Sequence, residues 1–364
     1  MKGRVAYIDN LRMLTVTLLI VYHAAMAYNT WGEQNYIFFR ESKPLAAVVS
    51  FISPWFMPLM FLLAGSSARF SIRKRGCGQF LKERALRLGI PLVFGLLVIT
   101  PVLSYIADLT HNGYSGGFFE HYGIYFTRFT DLSGYDGGFT LGHLWFIAVL
   151  AVISVISCGA IKGAEPLGIS GGKPKAVCGV LLSAGAVAAL DVKTLGKPLI
   201  TYLCVYLLGY VFFSERESVD RLAGYKWVYT AVFLAASAAN TALFIFVGKY
   251  SGLNTACNYI AFAFSIPALV SLGHDHLDVS TRFTRYGSGI SYMFYILHFP
   301  IVVVCQYLLA KAGAGSIANF FLTVPAAYLL TFGLCSLIQR TRYLKALFGS
   351  KPGRTQQMPS AQTS

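Results

Sequence analysis

The chain has 364 residues, 55% of them hydrophobic and only 12% charged, with a mean hydropathy of +0.58. A soluble domain carries about 25% charged residues, so a soluble globular fold is excluded. The net charge of +15 would suit a nucleic-acid partner, but the basic residues are parcelled out between apolar runs, which is the pattern of membrane topology.

Crossing a bilayer takes about twenty apolar residues in a helix. Runs of about that length recur at 13–31, 46–66, 88–107, 141–159, 177–191, 198–213, 227–247, 255–273, 288–309 and 319–338. The expected fold class is therefore all-α, a polytopic membrane protein of about ten transmembrane helices. With the first residues inside, 23 of the 30 Lys and Arg fall on the inner side; Arg40, Lys43, Arg128, Lys193, Lys197, Lys249 and Lys311 remain outside. That bias puts both termini in the cytoplasm; the expected location is the plasma (inner) membrane, multi-pass, with the lipid bilayer as partner. Residues 1–348 read as one transmembrane domain, and the polar 349–364 (SKPGRTQQMPSAQTS from Ser350) as a disordered cytoplasmic tail. The first run is interrupted by Asp9 and Arg12 and lacks a small-residue cleavage site, unlike a signal peptide.

The first candidate site lies in RMLTVTLLIVYH, where Arg12 and His23 are eleven residues apart. Eleven helical steps run about 20° past three whole turns, so both side chains share one face, roughly 16 Å apart along the axis. Asp9 is one turn before Arg12 and placed to pair with it. Ionisable groups inside a membrane are costly and usually line a pathway or bundle interior. The plainer reading is an anchoring Arg and a packed His.

Next comes a basic inner loop leading into the third run, RFSIRKRGCGQFLKERALRLGIP, with Arg73, Arg75, Arg84 and Arg87. Guanidinium forks match phosphate oxygens, so this patch suits a phosphate-rich donor, or else simple topology anchoring. The outer segment 108–140 mixes aromatics with His111, Glu120, His121, Asp131 and Asp136 and reads as a lid. In HLWF, His143 and Trp145 stand where a substrate would arrive from outside, although Trp is also an interfacial anchor. In SYMFYILHFP, His298 lies about as deep as His23, with Tyr295 and Tyr292 on the same stripe. Two histidines at one depth suit a general base or relay. Cysteine spacing supports neither a disulfide framework nor a metal site.

Taken together, YIDNLR running to His23, FMPLMFLLAGSSA at 56–68, FLKERALRLGIP at 80–91, HLWF at 143–146 and YMFYILHFP at 292–300 resemble the acyltransferase-3 membrane proteins over about residues 4–340. FLKERALRLGIP looks closest to the glucan succinyltransferase-like branch. The resemblance implies an O-acyltransferase using cytoplasmic acyl coenzyme A as donor substrate and a glycan or glycolipid hydroxyl as outer acceptor. It implies His23 as base or acyl relay, with Arg12 positioning the donor and His298 alongside. Arg84 and Arg87, with Arg73 and Arg75, would contact coenzyme A; His143, Trp145 and Tyr295 would face the substrate. Many relatives have Gly where this chain has Asn10. The expected arrangement is a cavity open on both sides with histidine at mid-depth. A proton-coupled transporter or flippase using the same Arg and His residues is the alternative, weakened by the lack of an internal repeat.

Overall fold

The computed structural model describes residues 6–33, 35–130, 132, 134–164, 193–194, 197–248 and 251–349. Helix α1 (Ala6–Met26) is the inner post of the bundle. It packs against α2 (Lys43–Ile52), α3 (Phe56–Phe94), α10 (Gly252–His276), α11 (Arg282–Lys311) and α12 (Ser316–Arg340). The other elements are α4 (Thr100–His111), α5 (His121–Thr127), α6 (Trp145–Ala164), α7 (Leu199–Val211), α8 (Arg216–Ala223), α9 (Lys226–Thr241) and α13 (Arg342–Leu347). A two-residue antiparallel pair, β1 (Lys193–Thr194) with β2 (Lys197–Pro198), leads into α7.

Six helical runs among the described residues are long and apolar enough to cross a membrane, or seven if α7 and α8, bent by 102°, form one crossing. By the length and apolarity of these helices, this is a multi-pass membrane protein. The expected first span is not among the six. Because α1 is surrounded by protein, it tolerates Asp9, Asn10 and Arg12 in its first half, and those residues lower its hydropathy. The expected span at 177–191 lies outside the described residues, as does the tail from residue 350.

The basic stretch after the second run is not a loop. It continues α3 as helix to Phe94, because Arg, Lys, Glu, Gln and Leu are good helix formers. The whole run Lys43–His111 has 69 residues. Straightened, it would reach roughly 100 Å, against about 30 Å of hydrocarbon. Gly76, at φ 73°, takes a backbone conformation that side chains resist, and bends it.

Close helix contact needs small residues, because lipid tails give helices no hydrophobic reason to associate. Gly65 of α3 and Gly209 of α7 face each other's helix so tightly that a Cβ on either would strike the carbonyl of Tyr206 or Leu62. Ser66 fixes the same crossing, donating from Oγ to the Gly209 carbonyl at 3.0 Å.

Candidate active site

The beginnings of α1 and α11 are tied together. Asn10 Nδ2 donates to the carbonyls of Leu277 (2.7 Å) and Val279 (2.9 Å) in the α10–α11 turn, and the Tyr7 amide donates to Asp278 Oδ1 at 3.3 Å. With their starts side by side, the two helices run in the same direction and carry their histidines to one depth. The rings of His23 and His298 have centroids 5.3 Å apart.

A third histidine joins them. His143 sits on the helical turn Gly142–Leu144 that opens α6, with its ring centroid 5.2 Å from that of His298. His143 Nε2 lies 2.8 Å from the Ile296 carbonyl, and His298 Nδ1 lies 2.6 Å from the Tyr295 carbonyl. A carbonyl oxygen only accepts, so each of these nitrogens carries the proton in a neutral ring. The opposite nitrogens, His143 Nδ1 and His298 Nε2, are then bare lone pairs. Both are buried and without a hydrogen-bond partner among the described residues. His23 is half-buried and stacks on Phe299, with centroids 3.9 Å apart and planes at 24°. Tyr295 braces the cluster by donating its hydroxyl hydrogen to the His143 carbonyl.

A cavity of about 570 Å³ runs from the end of the bundle where α1 begins to Tyr295 and Phe146. Arg12, Arg75, Arg84, Arg87 and Lys345 line it, with Asp9 and Glu83. Arg12 is held by Asp9 (3.1 Å), Ser67 Oγ (2.8 Å) and the Leu63 carbonyl (3.3 Å). Arg75 pairs with Glu83. Arg84 lies over the Phe80 ring at 5.1 Å, and among the described residues neither it nor Arg87 nor Lys345 is ion-paired with a carboxylate. The cavity therefore presents fixed positive charge at its mouth and stops one side chain short of the histidines. The Tyr295 ring is 5.5 Å from His143 and 5.9 Å from His298.

Arg12, Arg84 and Arg87 of the cavity and all three histidines of the cluster come from the stretches that carried the sequence resemblance; Arg75 and Lys345 do not. The acyltransferase-3 family model, described as an acyltransferase domain, matches residues 5–340. The chain belongs to this family. It is an acyltransferase, which sets the transporter reading aside. No curated protein and no solved structure matches the chain.

The other expected residues of this acyltransferase are placed less centrally. Arg73 is exposed and is not among the residues lining the cavity. Trp145 turns away from the histidines and stacks on Tyr202 at 5.9 Å, with Lys197 Nζ 5.0 Å from its ring centre. Asn10 supplies the tie between α1 and the α10–α11 turn.

Two parts of the site were not foreseen. The first is the C-terminal segment: α13, Phe348 and Gly349 fold back so that Lys345, Phe348 and Gly349 line the cavity, and Phe348 packs on Phe94 at 5.4 Å. The second is the segment expected as an outer lid, which is a folded cap. Asp108, only 1% exposed, accepts from His121 Nε2 (2.6 Å), Asn112 Nδ2 (2.6 Å), the Gly138 amide (3.3 Å) and Arg128. From this cap Thr140 Oγ1 bonds the Tyr36 hydroxyl at 2.7 Å, and the Tyr36 ring lies 5.5 Å from Phe299, the residue on which His23 stacks. No spacing rule links Asp108, His121 and Arg128, and Asp108 was not among the candidates named from the sequence; the scarcity of acids, 15 in the whole chain, is the one signal that could have pointed to it.

Proposed function

We propose that this acyltransferase moves an acetyl or succinyl group from cytoplasmic acyl coenzyme A to a hydroxyl of an envelope glycan or glycolipid. In this reading the chain has about ten spans in the inner membrane with both termini cytoplasmic, and the arginine cavity opens to the cytoplasm. The glucan-modifying, succinyltransferase-like branch is the closest fit to FLKERALRLGIP.

The observation that carries the reading is the pair of buried lone pairs on His298 Nε2 and His143 Nδ1, without a hydrogen-bond partner among the described residues, directly beyond a cavity in which no described carboxylate pairs with Arg84 or Arg87. Phosphates of the donor bind Arg84, Arg87 and Lys345, while Arg12, already oriented by Asp9 and Ser67, positions the pantetheine side of the donor. The thioester passes Tyr295 into the histidine cluster, and the acceptor hydroxyl enters from the capped end past Tyr36. His23, with His298 alongside it at 5.3 Å, takes the hydroxyl proton as the oxygen attacks the thioester carbonyl, and both rings are needed. The carbon–sulfur bond breaks, and the leaving thiolate takes up a proton from the imidazolium. Burial keeps water from competing as the nucleophile.

Purified protein given labelled acetyl or succinyl coenzyme A tests this. Thioester turnover that requires an added glycan acceptor and is lost in His23→Ala supports the assignment. A normal rate in His23→Ala overturns the role of the cluster's first histidine.

A further inference from the structure

Beside the donor cavity, and separated from it by Val16 and Ser291, which line both, lies a second pocket of about 380 Å³. It is a groove between α1, α11 and α12, walled by Leu14, Thr17, Phe283, Tyr286, Ile290 and Phe332. Its size falls within the range of about 300–1,000 Å³ typical of small-ligand sites. Nothing in the acyl-transfer scheme uses it. Leu14, Phe283 and Tyr286 are 47%, 71% and 42% exposed, so the groove opens sideways, out of the bundle. Phe294 and Phe332, with centroids 5.1 Å apart, close its deep end.

Two further features say what fits. The first is length. From Phe283 to Phe294 the α11 wall runs eleven residues, about 16 Å of helix, which is about half of the ~30 Å hydrocarbon core and so one leaflet. The second is charge at the open end. The Tyr286 hydroxyl meets Ser336 Oγ at 2.5 Å and fixes the register of antiparallel α11 and α12. Arg282 lies four residues before Tyr286, and Arg340 four after Ser336. Each is therefore about 6 Å beyond that contact in the same direction, on the stripe that lines the groove. Both are exposed, and neither is ion-paired among the described residues. Asp278, the acid nearest Arg282 in sequence, is engaged by the Tyr7 amide.

We propose that this groove is a binding site for an anionic phospholipid, with one acyl chain along Leu14, Tyr286 and Ile290 and the headgroup phosphate between Arg282 and Arg340. An apolar trough one leaflet deep that ends in two guanidinium groups matches that molecule at both ends. Because Val16 and Ser291 are shared with the donor cavity, the chain also buttresses a wall of that cavity.

Delipidated protein in a neutral detergent, titrated with dioleoyl phosphatidylglycerol or dioleoyl phosphatidylcholine and read by native mass spectrometry and by thermal unfolding, tests the site without any acyl-transfer assay. The expected result is at least tenfold tighter binding of phosphatidylglycerol, with a matching rise in Tm. In the double variant Arg282→Gln, Arg340→Gln, phosphatidylglycerol affinity falls to that of phosphatidylcholine, and in Thr17→Phe, which fills the groove, both lipids bind several-fold more weakly. Equal affinity for the two lipids in the wild type, or phosphatidylglycerol binding unchanged in the arginine double variant, overturns the proposal. So does displacement of phosphatidylglycerol by palmitoyl coenzyme A but not by coenzyme A, which assigns the groove to a donor chain. The arginines are exposed, so their variant keeps the test decisive if Thr17→Phe does not fold.

Discussion

At the capped end of the bundle, Arg128 reaches a carboxylate that is 1% exposed and also held by His121 and Asn112. At the opposite end, Arg84 and Arg87 line a cavity in which no described carboxylate pairs with them. The same side chain is thus neutralised where it holds the structure together and left uncompensated where an anion can enter. Arg12 stands between these cases, tied to Asp9 yet facing the cavity. Charge that is already satisfied locks a segment in place, whereas unsatisfied charge is available to a ligand, and substitutions at the two ends separate these roles.

The largest stability effect is expected at the paired end. Asp108→Ala leaves His121, Asn112 and the partly exposed Arg128 without their shared acceptor, and hydrogen bonds to a charged group are worth about 1.5–3 kcal/mol each. Thermal or denaturant unfolding in micelles will show that loss; a change under about 1 kcal/mol would mean the cap carries little of the fold's stability. The next effect is in binding. Arg84→Gln with Arg87→Gln removes charge-assisted contacts of about 1.5–3 kcal/mol, so coenzyme A affinity, followed by calorimetry, drops by about ten- to a hundredfold while Tm barely moves. If Tm falls as far as in Asp108→Ala, the contrast between the two ends fails. A smaller loss is expected for Asn10→Ala, whose two hydrogen bonds are worth about 0.5–1.5 kcal/mol each; unfolding again reads it, and an unchanged midpoint removes Asn10 as the tie between α1 and the α10–α11 turn. Arg73→Gln, outside the cavity, leaves coenzyme A affinity unaltered; a tenfold loss there would bring the exposed basic face into the donor site.

The helical class and the equal depth of His23 and His298 were legible because both depend on local patterns, run length and helical spacing. The continuation of α3 through its basic stretch was hidden, since arginine and lysine read as loop in a membrane sequence although they favour helix. His143 was legible as a candidate but not as a neighbour of His298: its bond to Ile296 joins residues 153 apart in the chain. Tertiary packing alone brings them together. Lys345 and Phe348 were hidden for a related reason, because a short segment after the last long helix gives no sign that it folds back. Trp145 shows the opposite error. Its position two residues after His143 suggested a shared role, but side chains two steps apart at the start of a helix point about 200° apart, to nearly opposite sides, and it faces α7 instead.

The central claim is that the histidine cluster performs the transfer and the arginine cavity supplies the donor. Coenzyme A binding and thioester turnover measured on one preparation of His298→Ala test it most directly. The account predicts affinity within about twofold of wild type and turnover lower by about 100- to 10,000-fold, the usual contribution of a positioned acid–base group. Turnover retained with affinity intact would contradict it.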